Sequence, residues 1–96
     1  MTLTVRKAQD QSRYELLDGA AIVGIADYVS DGDVVVFPHT VINPDRRGEG
    51  LGAVLVQAAL DDVRPSGRTV VPTCWYVAQF IDTNPDYADL LAGSAP

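Results

Sequence analysis

The stretch Asn43–Leu60, NPDRRGEGLGAVLVQAAL, decides how this chain is organised. It begins as a polar loop with two adjacent arginines, passes through glycines at alternate positions, and ends in apolar residues at helical spacing. Glycine lets a ligand approach the backbone closely, and the free N–H groups at a helix start attract anions. The stretch therefore predicts an anion-binding loop at the start of a helix. The alternative is a flexible connection, but three alternate glycines are costly at a helix start.

The residues before this stretch indicate β-structure. Asp-Gly pairs at positions 18–19 and 31–32 separate alternating apolar runs, which is typical of hairpin turns because both residues tolerate positive φ. Three strands between Arg13 and Ile42 are therefore predicted to form an antiparallel meander, with the segment Leu3–Lys7 beside them.

The residues after the glycines indicate helices around one strand. Apolar spacing predicts a largely buried helix over Gly50–Val63, a short strand over Arg68–Pro72 and a second helix over Trp75–Asp82. Asn84 is predicted to cap a third, short helix that begins at Pro85. The order is β-β-β-β-α-β-α-α, an α/β (α+β) class with a mixed, mostly antiparallel sheet and helices packed on it.

Length and charge limit the classes of function. Ninety-six residues predict a single domain over 1–96. The formal net charge of -6 argues against a nucleic-acid partner and favours a cationic substrate such as an amine, although an acidic surface without a role is commoner. No apolar run approaches the roughly 20 residues of a membrane span, and no signal peptide is evident. We expect a cytoplasmic monomer, and the single cysteine, Cys74, excludes an internal disulfide.

Two common anion-binding motifs do not fit the loop. A P-loop ends in Gly-Lys-Ser/Thr, whereas Ala53 and Val54 follow the last glycine here. The spacing Gly48-x-Gly50-x-x-Ala53 matches the dinucleotide fingerprint formally, but that fingerprint expects a carboxylate about 20 residues further on. The sequence has Val-Val-Pro-Thr-Cys there, so this interpretation also fails.

The spacing Arg47-x-x-Gly50-x-Gly52 resembles the pyrophosphate loop of the Gcn5-related N-acetyltransferases. Over residues 10–92 the chain is also similar to a YjdJ-type, minimal acetyltransferase subfamily. That subfamily shares a His-Thr-x-Val strand end, the glycine loop, a cysteine after the next strand, and an Asn/His-Pro-x-Tyr close. The corresponding residues here are His39–Ile42 (with Val and Ile displaced by one position), Cys74 and Asn84–Tyr87.

The resemblance implies an N-acetyltransferase that moves an acetyl group from acetyl-coenzyme A to an amine, either a small amine or a protein lysine or N-terminus, without a metal. Two alternatives stay open: a module that binds coenzyme A without catalysis, and a small interaction protein whose glycine loop is only a turn. The resemblance assigns cofactor binding to Thr40, Val41, Ile42, Arg46, Arg47, Gly48, Glu49, Gly50, Leu51, Gly52, Asn84 and Tyr87.

Candidate catalytic residues flank the predicted cofactor site. Period-2 alternation places His39 on one face with Val35 and Phe37, next to a strand interruption at Pro38. Cys74 precedes a helix, where the dipole favours a thiolate. The resemblance implies that Cys74 and His39 face one another near the acetyl group, with Cys74 as covalent acceptor, acid or wall.

Other residues near this point have more than one interpretation. Tyr76 is an alternative proton donor. Trp75 either walls the cleft or fills the core, and we expect the core. A cap and a packed aromatic would account for Asn84 and Tyr87 equally well.

Overall fold

The computed structural model describes residues 2–92. The strands of its sheet lie side by side in chain order; the first four pair antiparallel, and the fifth pairs parallel with the fourth. Gly19 and Gly32, with φ of 61° and 58°, form the two Asp-Gly turns. The predicted mixed, mostly antiparallel sheet is therefore confirmed. The strands, in chain order, are β1 (Leu3–Ala8), β2 (Arg13–Asp18), β3 (Ala21–Asp31), β4 (Val34–Ile42) and β5 (Thr69–Val71).

Two α-helices follow the meander. Helix α1, Leu51–Val63, connects β4 to β5, and helix α2, Trp75–Thr83, follows β5. Short 3-10 helices occupy Gln9–Gln11, Pro44–Arg46, Arg64–Ser66 and Pro85–Leu90. The last of these lies where the third helix was predicted.

Asn84 occupies the predicted N-cap position, but its side chain does not cap the helix. The side chain of Asn84 makes no hydrogen bond to the 3-10 helix that follows it. Its Nδ2 instead donates to the carbonyl oxygen of Phe80 at 2.8 Å, near the end of α2. The last carbonyls of a helix lack intrahelical partners, so this N–H₂ donor stabilises the C-terminal end of α2.

The hydrophobic core lies between the helices and one face of the sheet. The strand residues Tyr14, Leu16, Ala26, Val35 and Phe37 are buried together with residues of both helices. The helix residues in this cluster are Leu51, Leu55, Val56, Ala59, Leu60, Val63, Val77 and Ile81. The other face of the sheet, here called the outer face, carries Glu15, Ile25 and Asp27 by alternation from the core positions.

A β-bulge in β4 determines which side chains reach the core side. Asp27 pairs with His39, but two residues later Val29 pairs with Val36, so Tyr28 opposes both Phe37 and Pro38. One extra residue in a strand reverses the alternation beyond it. Upstream of the bulge Phe37 is buried, whereas downstream His39 is exposed on the outer face. The expectation that His39 shares a face with Val35 and Phe37 is therefore wrong.

The ladder between β4 and β5 is short. Its last pair is Val36 with Val71, and the N–H of Cys74 then donates to the carbonyl oxygen of Phe37 at 2.9 Å. Beyond this point residues 38–42 of β4 have no β5 partner. Proline lacks the N–H that a ladder requires, so the bulge and the end of the pairing coincide at Pro38. The opening expected beside Pro38 is present.

Candidate active site

A cavity of about 480 Å³ lies where β4 and β5 stop pairing. It is formed by the end of β4, the glycine loop and the first turns of α1 and α2. The residues that line it are Thr40, Val41, Ile42, Arg46, Arg47, Gly48, Gly50, Leu51, Gly52, Cys74, Trp75 and Tyr76. The structure thus brings most of the predicted site residues together, whereas His39, Glu49, Asn84 and Tyr87 are not among the lining residues.

The glycine loop holds its backbone in a conformation that favours glycine. Gly48 and Gly50 have φ of 84° and 75°, and no heavy atom lies within 4 Å of the position that a Cβ would take at either residue. Helix α1 begins after Gly50, and Val54 N–H is bonded to the carbonyl oxygen of Gly50 at 3.4 Å. The N–H groups before Val54 are those that a helix start leaves without intrahelical acceptors. Open space and unsatisfied donors make this an anion-binding geometry.

Gly52 is required for a different reason. It lies inside α1 with helical geometry, and a Cβ there would be 2.5 Å from Oη and 2.7 Å from Cζ of Tyr76. Its small size therefore makes room for the Tyr76 ring, which lines the cavity. The interpretation of Gly52 as a point of close ligand approach needs this correction. The spacing of the glycines alone did not reveal the contact, because its partner belongs to another helix.

The two arginines of the loop differ. Arg46 forms ion pairs with Asp18 at 3.0 Å and with Glu49 at 3.0 Å. Its hydrogen bonds to these carboxylates raise its pKa, and the bond to Glu49 has the larger effect. Arg46 therefore anchors the loop to the end of β2, and Glu49 serves as its partner instead of lining the cavity. Arg47 is exposed, and no ion pair of Arg47 is found within residues 2–92.

Cys74 occupies the N-cap of α2, at the inner end of the cavity. Its Sγ lies 3.7 Å from the Oγ1 of Thr40. Burial raises the pKa of the thiol, but the backbone N–H of Val77, the Thr40 hydroxyl and the N–H of Tyr76 together outweigh it, so the pKa is lowered. A thiolate is therefore favoured here more than at a free cysteine.

The predicted Cys74–His39 pair is not formed. Because of the bulge, Thr40 stands where alternation had placed His39, and His39 lies on the outer face opposite Asp27. The cavity consequently offers Cys74 a hydroxyl and backbone donors instead of an imidazole.

Trp75 lies on the lip of the cavity. Its side chain is 73 % exposed, and its ring meets that of Tyr76 edge-on at 5.8 Å between centroids. The expectation that Trp75 fills the core is wrong. The exposure of Trp75 could have been predicted from helical periodicity. Val77 and Ile81 define the buried face of α2, and at 3.6 residues per turn Trp75 lies on the opposite side.

Tyr87 has a structural environment outside the cavity. Its hydroxyl donates to Oδ1 of Asp61 at 2.7 Å, which raises the Tyr87 pKa. Its ring packs against Phe80 at 5.6 Å and beneath Arg64. This arrangement and the bond of Asn84 to the end of α2 show what the closing motif does in the fold, and neither residue contributes to the cavity.

Residues 2–92 contain neither a metal-binding cluster nor a membrane-spanning helix. Histidine, cysteine, aspartate and glutamate side chains do not come together in any group that could hold a metal ion. In the same part of the chain, no helix is long and apolar enough to cross a membrane.

The fold and the cavity together define a protein of the N-acetyltransferase type. A family model described as GCN5-related N-acetyl-transferase matches residues 13–90, and the chain belongs to this family.

Solved structures share the fold. A GCN5-like candidate N-acetyltransferase from Staphylococcus aureus superposes with a TM-score of 0.73 at 17 % identity, over 97 % of this chain and 91 % of that one. The ribosomal-protein-S18-alanine N-acetyltransferase from Escherichia coli gives 0.65 at 14 % identity, over 75 % of this chain and 50 % of that one. At these identities the likeness concerns the fold alone.

Curated relatives match over part of the chain. The protein NATD1 of Bos taurus is 36 % identical over 52 residues, which are 54 % of this chain and 46 % of that protein. The protein NATD1 of Gallus gallus is 35 % identical over the same length, 47 % of that protein. The match thus spans about half the length of these relatives.

Proposed function

We propose that the chain is an acetyl-coenzyme A-dependent N-acetyltransferase of the minimal, YjdJ-type group, acting on a small amine or on a protein lysine or N-terminus. The observation that carries this proposal is that one cavity is lined both by an anion-binding loop and by Cys74, a thiol whose pKa is lowered. Acetyl-coenzyme A carries a pyrophosphate and a thioester, so it requires both an anion-binding loop and a group that reacts at the thioester. We place the protein in the cytoplasm, where a reducing environment keeps the lone thiol of Cys74 available.

The cavity suits the pyrophosphate, the pantetheine arm and the acetyl group of the cosubstrate. Its volume of about 480 Å³ lies within the usual range for small-molecule sites. The N–H groups from Gly48 to Gly52 and the guanidinium of Arg47 are suited to a pyrophosphate. The unpaired edge of β4, residues 40–42, offers backbone groups to an extended amide-bearing arm, as a strand would. The acetyl group then lies beside Thr40 and Cys74.

Transfer forms a C–N bond and breaks the C–S bond of the thioester. The ammonium must lose a proton before it attacks, and the leaving thiolate must gain one. Two routes suit this cavity. In one, the Cys74 thiolate takes the acetyl group and then passes it to the amine. In the other, the amine attacks directly and the Cys74 thiol protonates the leaving thiolate. The position of His39 supports no contact with Cys74, and we assign it no role at the acetyl group.

Binding is the first test. Acetyl-coenzyme A and coenzyme A should each raise the stability of the protein by about 2.7 kcal/mol at a hundredfold excess over the dissociation constant. For a domain of this size, such a gain raises the melting temperature by roughly 10 °C or more. No shift with either compound at millimolar concentration would contradict the whole proposal.

Turnover is the second test. Release of coenzyme A should depend on an added amine, and binding without amine-dependent release would favour the non-catalytic module. Incubation with acetyl-coenzyme A alone, followed by mass spectrometry, separates the two routes. An acetyl mass on the wild type and none on Cys74→Ser indicates the covalent route. Lost turnover in that variant, with no acetyl mass on either protein, indicates proton donation.

A further inference from the structure

Trp75 is an exposed aromatic residue at the reactive end of the cavity. Exposed large apolar side chains also include Ile22, Val29, Val41 and Val54, but Trp75, at 73 %, is the most exposed of them. It follows Cys74 directly and lines the same cavity. Neither the fold nor the proposed chemistry of Cys74 requires an indole at this position, since the ring contributes nothing to the hydrophobic core.

The charged residues that line the cavity are Arg46 and Arg47, and both belong to the glycine loop. The reactive end is formed by Thr40, Cys74, Trp75 and Tyr76, which are polar or aromatic. Beside Cys74 a ligand therefore meets the aromatic surface of Trp75, the residue that follows it in the chain.

The indole ring of Trp75 remains available to a ligand. Within residues 2–92, the cations found over aromatic rings are Lys7 and Arg64, and each of them lies over a tyrosine. Trp75 makes one ring contact there, an edge-on contact with Tyr76, whose interplanar angle is 79°. Tryptophan is the best aromatic partner for an ammonium group, and the chain is acidic overall.

We propose that Trp75 is the acceptor platform, the surface on which a cationic alkylamine lies before its nitrogen reaches the acetyl group. The proposal rests on the proposed function and deepens it, because it names the acceptor class: a primary amine on an aliphatic stem, bound as the ammonium over the indole. The aliphatic stem contacts the ring, and the ammonium transfers its proton to solvent water before its nitrogen reaches the acetyl group beside Thr40 and Cys74.

The only tryptophan of the chain makes this proposal directly measurable. Trp75 fluorescence, excited where tyrosine does not absorb, reports on the platform without any need for turnover. In protein saturated with coenzyme A, n-pentylamine should change the emission of Trp75 in a saturable way. The neutral alcohol 1-pentanol has the same stem without the charge and should bind at least about fivefold more weakly, the scale of an exposed to partly desolvated cation–π contact.

Three variants separate the platform from simpler roles. Trp75→Leu keeps apolar area but lacks a π face, and it should raise the KM for the amine about tenfold with kcat and acetyl-coenzyme A affinity nearly unchanged. Trp75→Phe should retain much of the wild-type KM. Val54→Ala, which alters an exposed apolar residue of α1 outside the cavity, should change neither constant.

Several outcomes would overturn the platform. If Trp75→Leu weakens acetyl-coenzyme A as much as the amine, the indole is a wall for the cosubstrate. Equal binding of n-pentylamine and 1-pentanol, or no fluorescence change at millimolar amine, would show that no ammonium binds to Trp75. A protein that binds no coenzyme A fails the proposed function itself, whereas a protein that turns over with unchanged KM in Trp75→Leu fails only this inference.

Discussion

Gly52→Ala tests whether α1 and α2 meet through the Tyr76 ring. In a helix, alanine is favoured over glycine by up to about 1 kcal/mol. The new methyl group, however, would lie 2.5 Å from Oη and 2.7 Å from Cζ of Tyr76, and overpacking of this kind costs about 1–3 kcal/mol. The net expectation is a destabilisation of about 0–2 kcal/mol.

The same substitution should change sign when the ring is absent. In a Tyr76→Ala background the clash disappears, so Gly52→Ala should stabilise the protein by up to about 1 kcal/mol. Denaturant unfolding of the four proteins gives the coupling energy, which we expect to be about 1–3 kcal/mol.

Gly50→Ala is the matched control for this cycle. Its cost of about 1–2 kcal/mol arises from positive φ alone, since no atom lies near the added methyl group. It should therefore be equal in the two backgrounds. If Gly52→Ala is also additive with Tyr76→Ala, the packing argument is refuted.

Three further predictions concern charge. Arg47→Ala should weaken acetyl-coenzyme A binding by about 1.5–3 kcal/mol, less at high salt, and should leave the melting temperature unchanged. Arg46→Ala should lower both the affinity for acetyl-coenzyme A and the melting temperature. Calorimetry measures the affinities, and thermal unfolding measures the melting temperatures. Because the pKa of Cys74 is lowered, the pH midpoint of its alkylation rate should lie below that of a free cysteine. Thr40→Val should raise this midpoint. Equal midpoints in the wild type and Thr40→Val would contradict a contribution from the Thr40 hydroxyl. Hydrogen bonds from Arg6 and Arg13 lower the pKa of Glu15. Its contribution to stability is therefore present above the unfolded-state pKa and disappears as pH falls through the folded-state pKa. Glu15→Gln should reduce the loss of melting temperature at acid pH, and an unchanged loss would assign it to other carboxylates.

The sheet and the main helix could be predicted because their signals are local. The Asp-Gly turns fix the hairpins within a few residues. The apolar spacing that predicted α1 includes Leu51, Leu55 and Leu60, which are buried, but also Val54, which is exposed. The loop geometry was predictable in the same way, since two of its glycines have the positive φ that their position suggests.

The facing of the catalytic candidates could not be predicted, because it depends on pairing between strands. Pro38 indicated a disturbance in β4, but only the opposing Tyr28 shows that an extra residue is accommodated there. The role of Gly52 likewise depends on Tyr76, which reaches it from a different helix. Such contacts are tertiary and leave no periodic pattern in the sequence.

The bulge at Phe37–Pro38 gives β4 two separate tasks within nine residues. Upstream, Val35 and Phe37 build the core; downstream, Thr40 and Ile42 line the cavity, whereas His39 lies on the outer face. A change at His39 can therefore alter the exterior while Phe37, two positions earlier, stays under the constraint of close packing. A single insertion or deletion at this point would exchange the two sets at once, so the strand is more tolerant of substitution than of any change in its length.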